Sequence, residues 1–451
     1  MKIENSNDKQ GVLFGISAVR NKEVTLGFTG SDISSDGGLV LLKECEQQVG
    51  IIKSIAGCLR DERHPSYIHH SIEQLLTQRV FQIAAGYEDA DDCDSLRTDD
   101  IFKLCSGKLP SDGALASQPT MSRFEHAPSR SELYRICENF VEGFIGSYAA
   151  QPEVIVLDCD DTNSNTYGNQ QLTLYNDYYG EYCYMPLHIY EGLSGKLITT
   201  ILKPGRRSKN INVFAILSRV IKKIRSQWKD TMIIIRGDGH FCSRQLMDWS
   251  AGMENVHFLT GLTGNAVLNK RAAATVKAAE KQYKQTGRAV KFYHTFSYKA
   301  GEWKKAQRVI VKVEANEKGT NIRYVVTDMH QGRTRNLYED VYCARGAMEL
   351  RIKEHKTYLA SDRMSCTTFA ANQFRLFLHS AAYVLLHNLQ TEVLIGTDYA
   401  KSTFKTIREK IIKVAAYVKE LKTKIKIELP ASCPQVAVFS RCFLLFEALR
   451  T

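Results

Sequence analysis

The sequence predicts an α/β protein whose core layers helices on a sheet, with a helical domain before it, a strand-rich insertion within it and a basic helical stretch after it. Three observations carry this. Two apolar runs end in acids, VIVLDCDDT at residues 154–162 and TMIIIRGDGHF at 231–241, as central strands do when they deliver carboxylates to a sheet edge. Strand and helix periods alternate between and after them, as in a layered sheet. The third is YCARGAMELRIKEHK at 342–356. Wound at 3.6 residues per turn, its Tyr342, Arg345, Glu349 and Lys356 fall at roughly 0, −60, −20 and −40° about the axis, one narrow stripe.

At 451 residues the chain exceeds one compact core, so two or three domains are expected. Lys and Arg number 60 against 49 Asp and Glu, a net +11 that favours a polyanionic partner. No apolar run approaches the roughly 20 residues of a bilayer span, and MKIENSNDKQ lacks the apolar core of a signal peptide. A cytoplasmic protein without a membrane partner is expected. Twelve cysteines are scattered from Cys45 to Cys442 with no Cys-x2-Cys pair, which reads as buried free thiols rather than zinc ligands.

Residues 1–150 read as a mostly helical domain. After a strand-like patch, VTLGFTG, the run SDISSDGGLVLLKECEQQVGI reads as a capped amphipathic helix. SIEQLLTQRVFQIAAG and SELYRICENFVEGFIGSY keep apolar residues at three and four spacing. The acids of GYEDADDCDSLRTDD alternate as in a calcium loop, but Asp94 stands where the loop from Asp89 needs glycine, so caps and turns account better for them. In LASQPTMSRFEHAP, Ser122 and Glu125 have capping-box spacing. Ser117, Gln118, Thr120, Ser122 and Arg123 suit phosphates and base edges at a helix N-terminus, and equally a plain domain-closing helix.

Residues 151–265 form the first part of the core. Asp158, Asp160 and Asp161 end the first strand, and alternation puts Asp158 and Asp160 on one side and Asp161 on the other. YCYMPLHIYEG and GKLITTILKPG follow as a meander, in which His188 reads as a core histidine with a satisfied ring. The basic loop KPGRRSKN suits phosphate or solvent, and VFAILSRVIKKIRSQW reads as a crossover helix. Asp238 then ends a strand between two glycines that permit close approach of a ligand or backbone, or caps the helix near Ser243. VHFLTGL continues the sheet.

Residues 266–333 add a basic helix, NKRAAATVKAAEKQYKQTG, and three strand-like runs, with Trp303 in a turn beside Lys304 and Lys305. Residues 334–390 return to the core with the stripe of Glu349 and the apolar helix around SDRMSCTTFAANQFRLFLHSAAYVLL, whose Arg375 faces DNA or solvent. Residues 391–451 are a basic helical region. Within it, 401–426 hold nine basic residues against two acidic ones, with Phe404, Ile407, Ile411, Val414 and Val418 on another face, suited to phosphate backbone or to docking on the core.

Strand with acid, meander, helix, strand with acid and later a helix with acid is the order of a ribonuclease H-like fold. Acids 78 and 111 residues apart would converge on one sheet edge, where their repulsion calls for cations. A carboxylate between an arginine and a lysine suits a site that holds a metal and phosphate oxygens together, although Arg345 and Glu349 also have the spacing of an ordinary surface pair.

Tyr-x2-Arg-x3-Glu-x6-Lys resembles the signature of the DDE transposases of bacterial insertion sequences, and HPSYIHHSIEQLLTQRVFQIAAGYEDADDCDSLR resembles one of their subfamilies. The resemblance spans residues of about 35 to 390. It implies Asp160, Asp238 and Glu349 as catalytic acids and metal ligands, with Asp160 favoured over Asp158 because Asp160-Asp161-Thr162 matches the group's Asp-x-Thr. It implies two Mg2+ ions, with Mn2+ as a substitute, and double-stranded DNA as partner, both element ends and target. Tyr342, Arg345 and Lys356 would contact that DNA, joined by Arg123 in the N-terminal domain. The β-rich insertion between the second and third acids carries in some relatives an aromatic that stacks on a flipped base. Trp303 stands in that region, and also reads as strand-edge packing. A homodimer on DNA, at the nucleoid, is expected by analogy. A nuclease that cuts without joining, and a silent DNA-binding descendant, are the alternatives.

Overall fold

The computed structural model describes residues 14–27, 31–206 and 213–450. Three short strands open it, β1 (Phe14–Val19), β2 (Lys22–Leu26) and β3 (Ile33–Ser34). Seven helices follow: α1 (Leu39–Val49), α2 (Ile51–Cys58), α3 (Ile72–Ala85), α4 (Asp92–Leu96), α5 (Asp100–Cys105), α6 (Gln118–His126) and α7 (Arg130–Gly146). Helices make up most of this stretch, and local chemistry explains the boundaries. Capping boxes start α3 (Ser71 with Gln74) and α7 (Ser129 with Glu132), and left-handed Gly50 and Gly86 close α1 and α3.

Two local expectations fail. Helix α6 begins four residues before Ser122, and Glu125, instead of capping, is buried against Arg79. Helix α1 has no side-chain cap. Gly37 and Gly38 instead donate backbone hydrogen bonds to Val414 and Ile412, an approach that only a residue without Cβ permits, since a Cβ on Gly38 would sit 1.9 Å from the Ile411 carbonyl oxygen.

The central region comprises β4 (Val154–Asp161), β5 (Ser164–Asn165), β6 (Leu174–Asn176), β7 (Glu181–Tyr184), β8 (Leu187–Glu191), β9 (Leu197–Ile201), α8 (Val213–Gln227), β10 (Met232–Gly237), α9 (Arg244–Ser250) and β11 (Val256–Leu262). Next come α10 (Ala266–Thr286), β12 (Val290–Tyr298), β13 (Gln307–Asn316) and β14 (Gly319–Thr327). Eight strands form one mixed sheet in the order β12-β13-β14-β11-β10-β4-β8-β9, while β5, β7 and β6 make a small sheet of their own. Strands β4, β10 and β11 run parallel, and the rest pair antiparallel. Residues 266–333 therefore extend the main sheet through β14 on β11 and do not build a sheet apart. The meander run 182–192 breaks at Met185–Pro186, its first half joining the small sheet and its second half the large one. Residues 207–210 of the basic loop lie outside the described residues, as do 28–30 of the first strand-like patch.

The remaining elements are α11 (Thr334–Asn336), α12 (Gly346–Lys353), α13 (Phe369–Asn388), α14 (Phe404–Ile407), β15 (Ala416–Glu420), β16 (Ile425–Glu428) and α15 (Val436–Arg450). Residues 401–426 are not one basic helix. The helix ends at Ile412 after a π turn, and the rest pairs as the hairpin β15–β16, with β15 also pairing with β3. Phe404, Ile407, Ile411, Val414 and Val418 nonetheless all turn inward. Helix α13 is apolar on nearly every side and almost wholly buried, the profile of a central helix. Around it α1–α7 and the C-terminal elements share one continuous core, and α7–α10 cover one face of the sheet in a second. No helix among the described residues is long and apolar enough to cross a membrane, and all twelve cysteines are free thiols.

Candidate functional site

The register of β4 on β10 builds the site. Arg236 pairs with Asp158 and Gly237 with Cys159, so the next row brings Asp160 and Asp238 side by side at the strand ends. In the inner row, Arg236 grips both oxygens of Asp158, Nε to Oδ1 at 2.5 Å and Nη2 to Oδ2 at 2.6 Å, with both side chains buried. A further Arg236 nitrogen donates to the Val341 carbonyl, tying the sheet to the segment of Tyr342. Gly192 makes room for the pair, since a Cβ there would stand 2.6 Å from each partner. Asp158 is thus consumed by an internal ion pair. Arg236 went unread in the sequence, although a charged residue inside an apolar strand signals a buried partner.

In the outer row, Asp160 is half-buried and its carboxyl is pushed up to about 6 by desolvation, with Arg345 opposing and the charge of Asp238 adding to the rise. Arg345 Nη1 donates to Asp160 Oδ2 at 3.1 Å. Asp238 caps the turn behind it, accepting from the His240 amide, and its oxygen stands 3.1 Å from the His240 ring. That turn presses on β11 at Gly261, where a Cβ would meet the Gly239 nitrogen at 2.7 Å and the Tyr342 hydroxyl at 3.0 Å. Asp161 lies on the opposite side of the strand, as alternation requires, bound by Lys203 Nζ at 2.6 Å.

The motif segment is helical but irregular. Residues 337–342 form a π turn, 343–345 a 3-10 turn, 346–353 an α-helix and 354–358 a second π turn. The uniform stripe expected from 3.6 residues per turn is therefore broken at both ends. Lys356, inside the second π turn, reaches Asn163 Oδ1 at 3.0 Å and Thr162 Oγ1 at 3.4 Å, just past the end of β4. Arg345 stands on Asp160 and Tyr342 by the Asp238 turn, while Lys356 meets the chain two and three residues past Asp160. Glu349, one turn beyond Arg345, is exposed and makes no hydrogen bond or ion pair among the described residues. Among those residues no three His, Cys, Asp or Glu side chains stand close enough together to hold a metal ion. The neighbouring Asp160 and Asp238, the second of which adds its charge to the rise at the first, fit one divalent cation. The third carboxylate is not gathered to them.

His188 stands opposite Asp160 on β8, fully buried, and neither ring nitrogen has a hydrogen-bond partner among the described residues. The satisfied ring expected of it is absent. Burial drives its pKa down to about 3, so the ring is neutral, packed 4.8 Å from that of His355. Trp303 packs edge-on against Tyr298 at 5.4 Å on the outer hairpin, with four strands between β12 and β4. Arg123 is exposed on α6, lining an open cavity with Arg60, Arg63, Tyr67 and His69. Arg375 faces neither DNA nor solvent. It is buried in α13, 3.4 Å from Glu125.

Paired strand-end acids beside an arginine and a lysine fit the class of sites that bring a divalent cation and phosphate oxygens together. The family is narrower. A family model described as "Transposase DDE domain group 1" matches residues 16–451, and the chain belongs to that family. A solved structure, the cryo-EM synaptic complex of piggyBac transposase with hairpin DNA, is similar at 10% identity over 84% of this chain and 80% of that one, with a TM-score of 0.41. No curated protein matches the chain.

Proposed function

We propose that this protein is the transposase of a bacterial insertion sequence, cutting the ends of the element and joining the freed 3′-hydroxyls to target DNA on a ribonuclease H-like core. The observation that carries the reading is the outer row of the sheet. Asp158 is locked to Arg236, which leaves Asp160 and Asp238 as the adjacent strand-end carboxylates with Arg345 and Lys356 beside them. Asp160, Asp238 and Glu349 would hold two divalent ions, Mg2+ with Mn2+ as a substitute, which when bound lower the pKa of an attacking water or hydroxyl and neutralise phosphate charge.

The chain's own residues do the rest. Arg345 is a fork that fits a phosphate as well as it fits Asp160, so a DNA phosphate competes for it and leaves Asp160 free to ligate. Lys356 supplies a point charge to the same strand, and Tyr342 orients a phosphate near the Asp238 turn. Glu349, one turn past Arg345 on the motif helix, would supply the third carboxylate. Two ends must be held together, so the working form on DNA is a homodimer.

The test is cleavage and joining of duplex DNA carrying the element's end with Mg2+, for wild type, Asp160→Ala and Glu349→Ala. Both variants are expected to lose about a hundred- to a thousandfold in rate, the scale of a removed electrostatic group. Unchanged activity in both removes the site assignment. Pre-cut ends separate joining from cutting alone, the behaviour of a simple nuclease.

A further inference from the structure

Between β4 and β8 the chain departs from the main sheet into the small one, and five tyrosines stand in the sixteen residues 167–182. Tyr167 and Tyr178 are 84% exposed, Tyr182 58%, Tyr175 46% and Tyr179 37%. Tyr175 and Tyr182 face each other across β6 and β7 with rings 5.4 Å apart, and Tyr178 and Tyr179 meet at 4.9 Å in the turn. Solitary exposed aromatics are ordinary, but two ring pairs and a fifth tyrosine within one short hairpin segment leave an unusual density of ring faces in water, the mark of a surface with a ligand.

Two observations say which ligand. The hairpin is hydrogen-bonded to the candidate site. Lys356 donates to Asn163, Asn163 donates to Glu181 Oε1 at 2.5 Å, and Asn165 donates to Glu181 Oε2 at 2.6 Å. Desolvation, the neighbouring Tyr178 and the charges of Asp160 and Asp161 raise the Tyr179 hydroxyl above its ordinary value, so the turn lies within electrostatic reach of the acids. The second observation is charge. Residues 166–195 contain no Lys or Arg, and the hairpin itself carries Asp177 and Glu181. A duplex offers phosphates and hides its ring faces, so such a surface has little to hold it by. Unpaired nucleotides offer the ring faces.

We infer that the tyrosine hairpin is a stacking surface for unpaired bases of the DNA strand that enters the Asp160 site. The inference rests on the function proposed above. Every base has a π face, so the surface would be tolerant of sequence, with the phosphates of the strand left to Arg345 and Lys356.

The experiment uses the full chain and two labelled probes, a blunt duplex and the same duplex with an oligo-dT tail carrying 2-aminopurine. Fluorescence anisotropy and 2-aminopurine quenching are read for wild type, Tyr178→Ala/Tyr182→Ala and Tyr178→Phe/Tyr182→Phe. Wild type should prefer the tailed probe and quench it. The alanine pair should lose about 5- to 100-fold of tail affinity with blunt-duplex binding unchanged, and the phenylalanine pair should keep it, because stacking needs the ring and not the hydroxyl. Equal affinity of wild type for both probes overturns the inference, as does tail binding that survives the alanine pair. So does a change confined to oligomeric state, which would make the patch a contact between copies. Asp160→Asn is assayed in parallel for cleavage. Cutting that persists there while the alanine pair loses the tail would overturn the active-site assignment and leave the stacking surface standing.

Discussion

At the residue scale, two aspartates two positions apart have opposite fates because of one cross-strand arginine. Asp160, which receives one hydrogen bond from Arg345 rather than a two-pronged grip, keeps a carboxyl raised to about 6 by desolvation. The native state therefore holds that proton more tightly than the unfolded chain, and the stability this gives is present below the ordinary carboxylate pKa and is lost as pH rises towards 6. Asp160→Asn, which never ionises, should accordingly be more stable than wild type at pH 8 in EDTA, by on the order of 1–3 kcal/mol, with the gap closing below pH 4. Thermal unfolding across pH checks it, and a variant no more stable than wild type at pH 8 contradicts the raised pKa. Asp158 is tested through its arginine. Arg236→Met strands a buried carboxylate and should cost about 3–5 kcal/mol at neutral pH, measured by urea denaturation. The double change Arg236→Met with Asp158→Leu should recover much of the loss.

At the scale of elements, what was legible depended on how far each decision was local. Strand-end acids, the helices with capping boxes and the crossover α8 were readable because period and cap chemistry lie within one segment. The motif helix was readable as a helix but not as π, 3-10 and α in succession, since its irregularity answers to contacts with Asn163 and the Arg236–Val341 tie, which no local pattern announces. The basic stretch 401–426 misled for a related reason. Its charges suggested a helix on DNA, whereas Lys413 is bound to Asp36 at 2.7 Å and Arg408 to the carbonyls of Ala84 and Tyr358, inside the fold. The glycines test this docking. Gly38→Ala drives a methyl into the Ile411 carbonyl and should destabilise by about 1–3 kcal/mol or more. Gly143→Ala, in open space on the exposed side of α7, should stabilise by about 0.5–1 kcal/mol. Equal effects of the two in a denaturant titration would refute the close approach at Gly38.

At the scale of the whole molecule, the N-terminal helices and α13 are joined by buried charge as well as by apolar packing. Glu125 of α6 accepts from Arg79 of α3 at 2.7 Å and lies 3.4 Å from Arg375 of α13, all three buried. Burial works to raise the Glu125 carboxyl, but Arg375 and Arg79 outweigh it and hold the group below its ordinary value. For a lowered carboxyl the sign runs the other way from Asp160: its stabilisation is present above the unfolded-state pKa and is lost as pH falls through the folded one. No stretch of sequence announces this joint, because its members come from three segments up to 296 residues apart, from Arg79 to Arg375. Glu125→Gln leaves two buried guanidiniums without a countercharge and should cost about 3–5 kcal/mol at pH 7. The cost should shrink as pH falls below about 4, where wild type gives up the same interaction. Circular dichroism melts at pH 7 and at a series of pH values below 4 measure the difference. A constant gap between variant and wild type would mean that shape, not charge, couples the helical region to the helix that backs the candidate site. A gap that closes with acid would mean that the two regions unfold together because one carboxylate holds them.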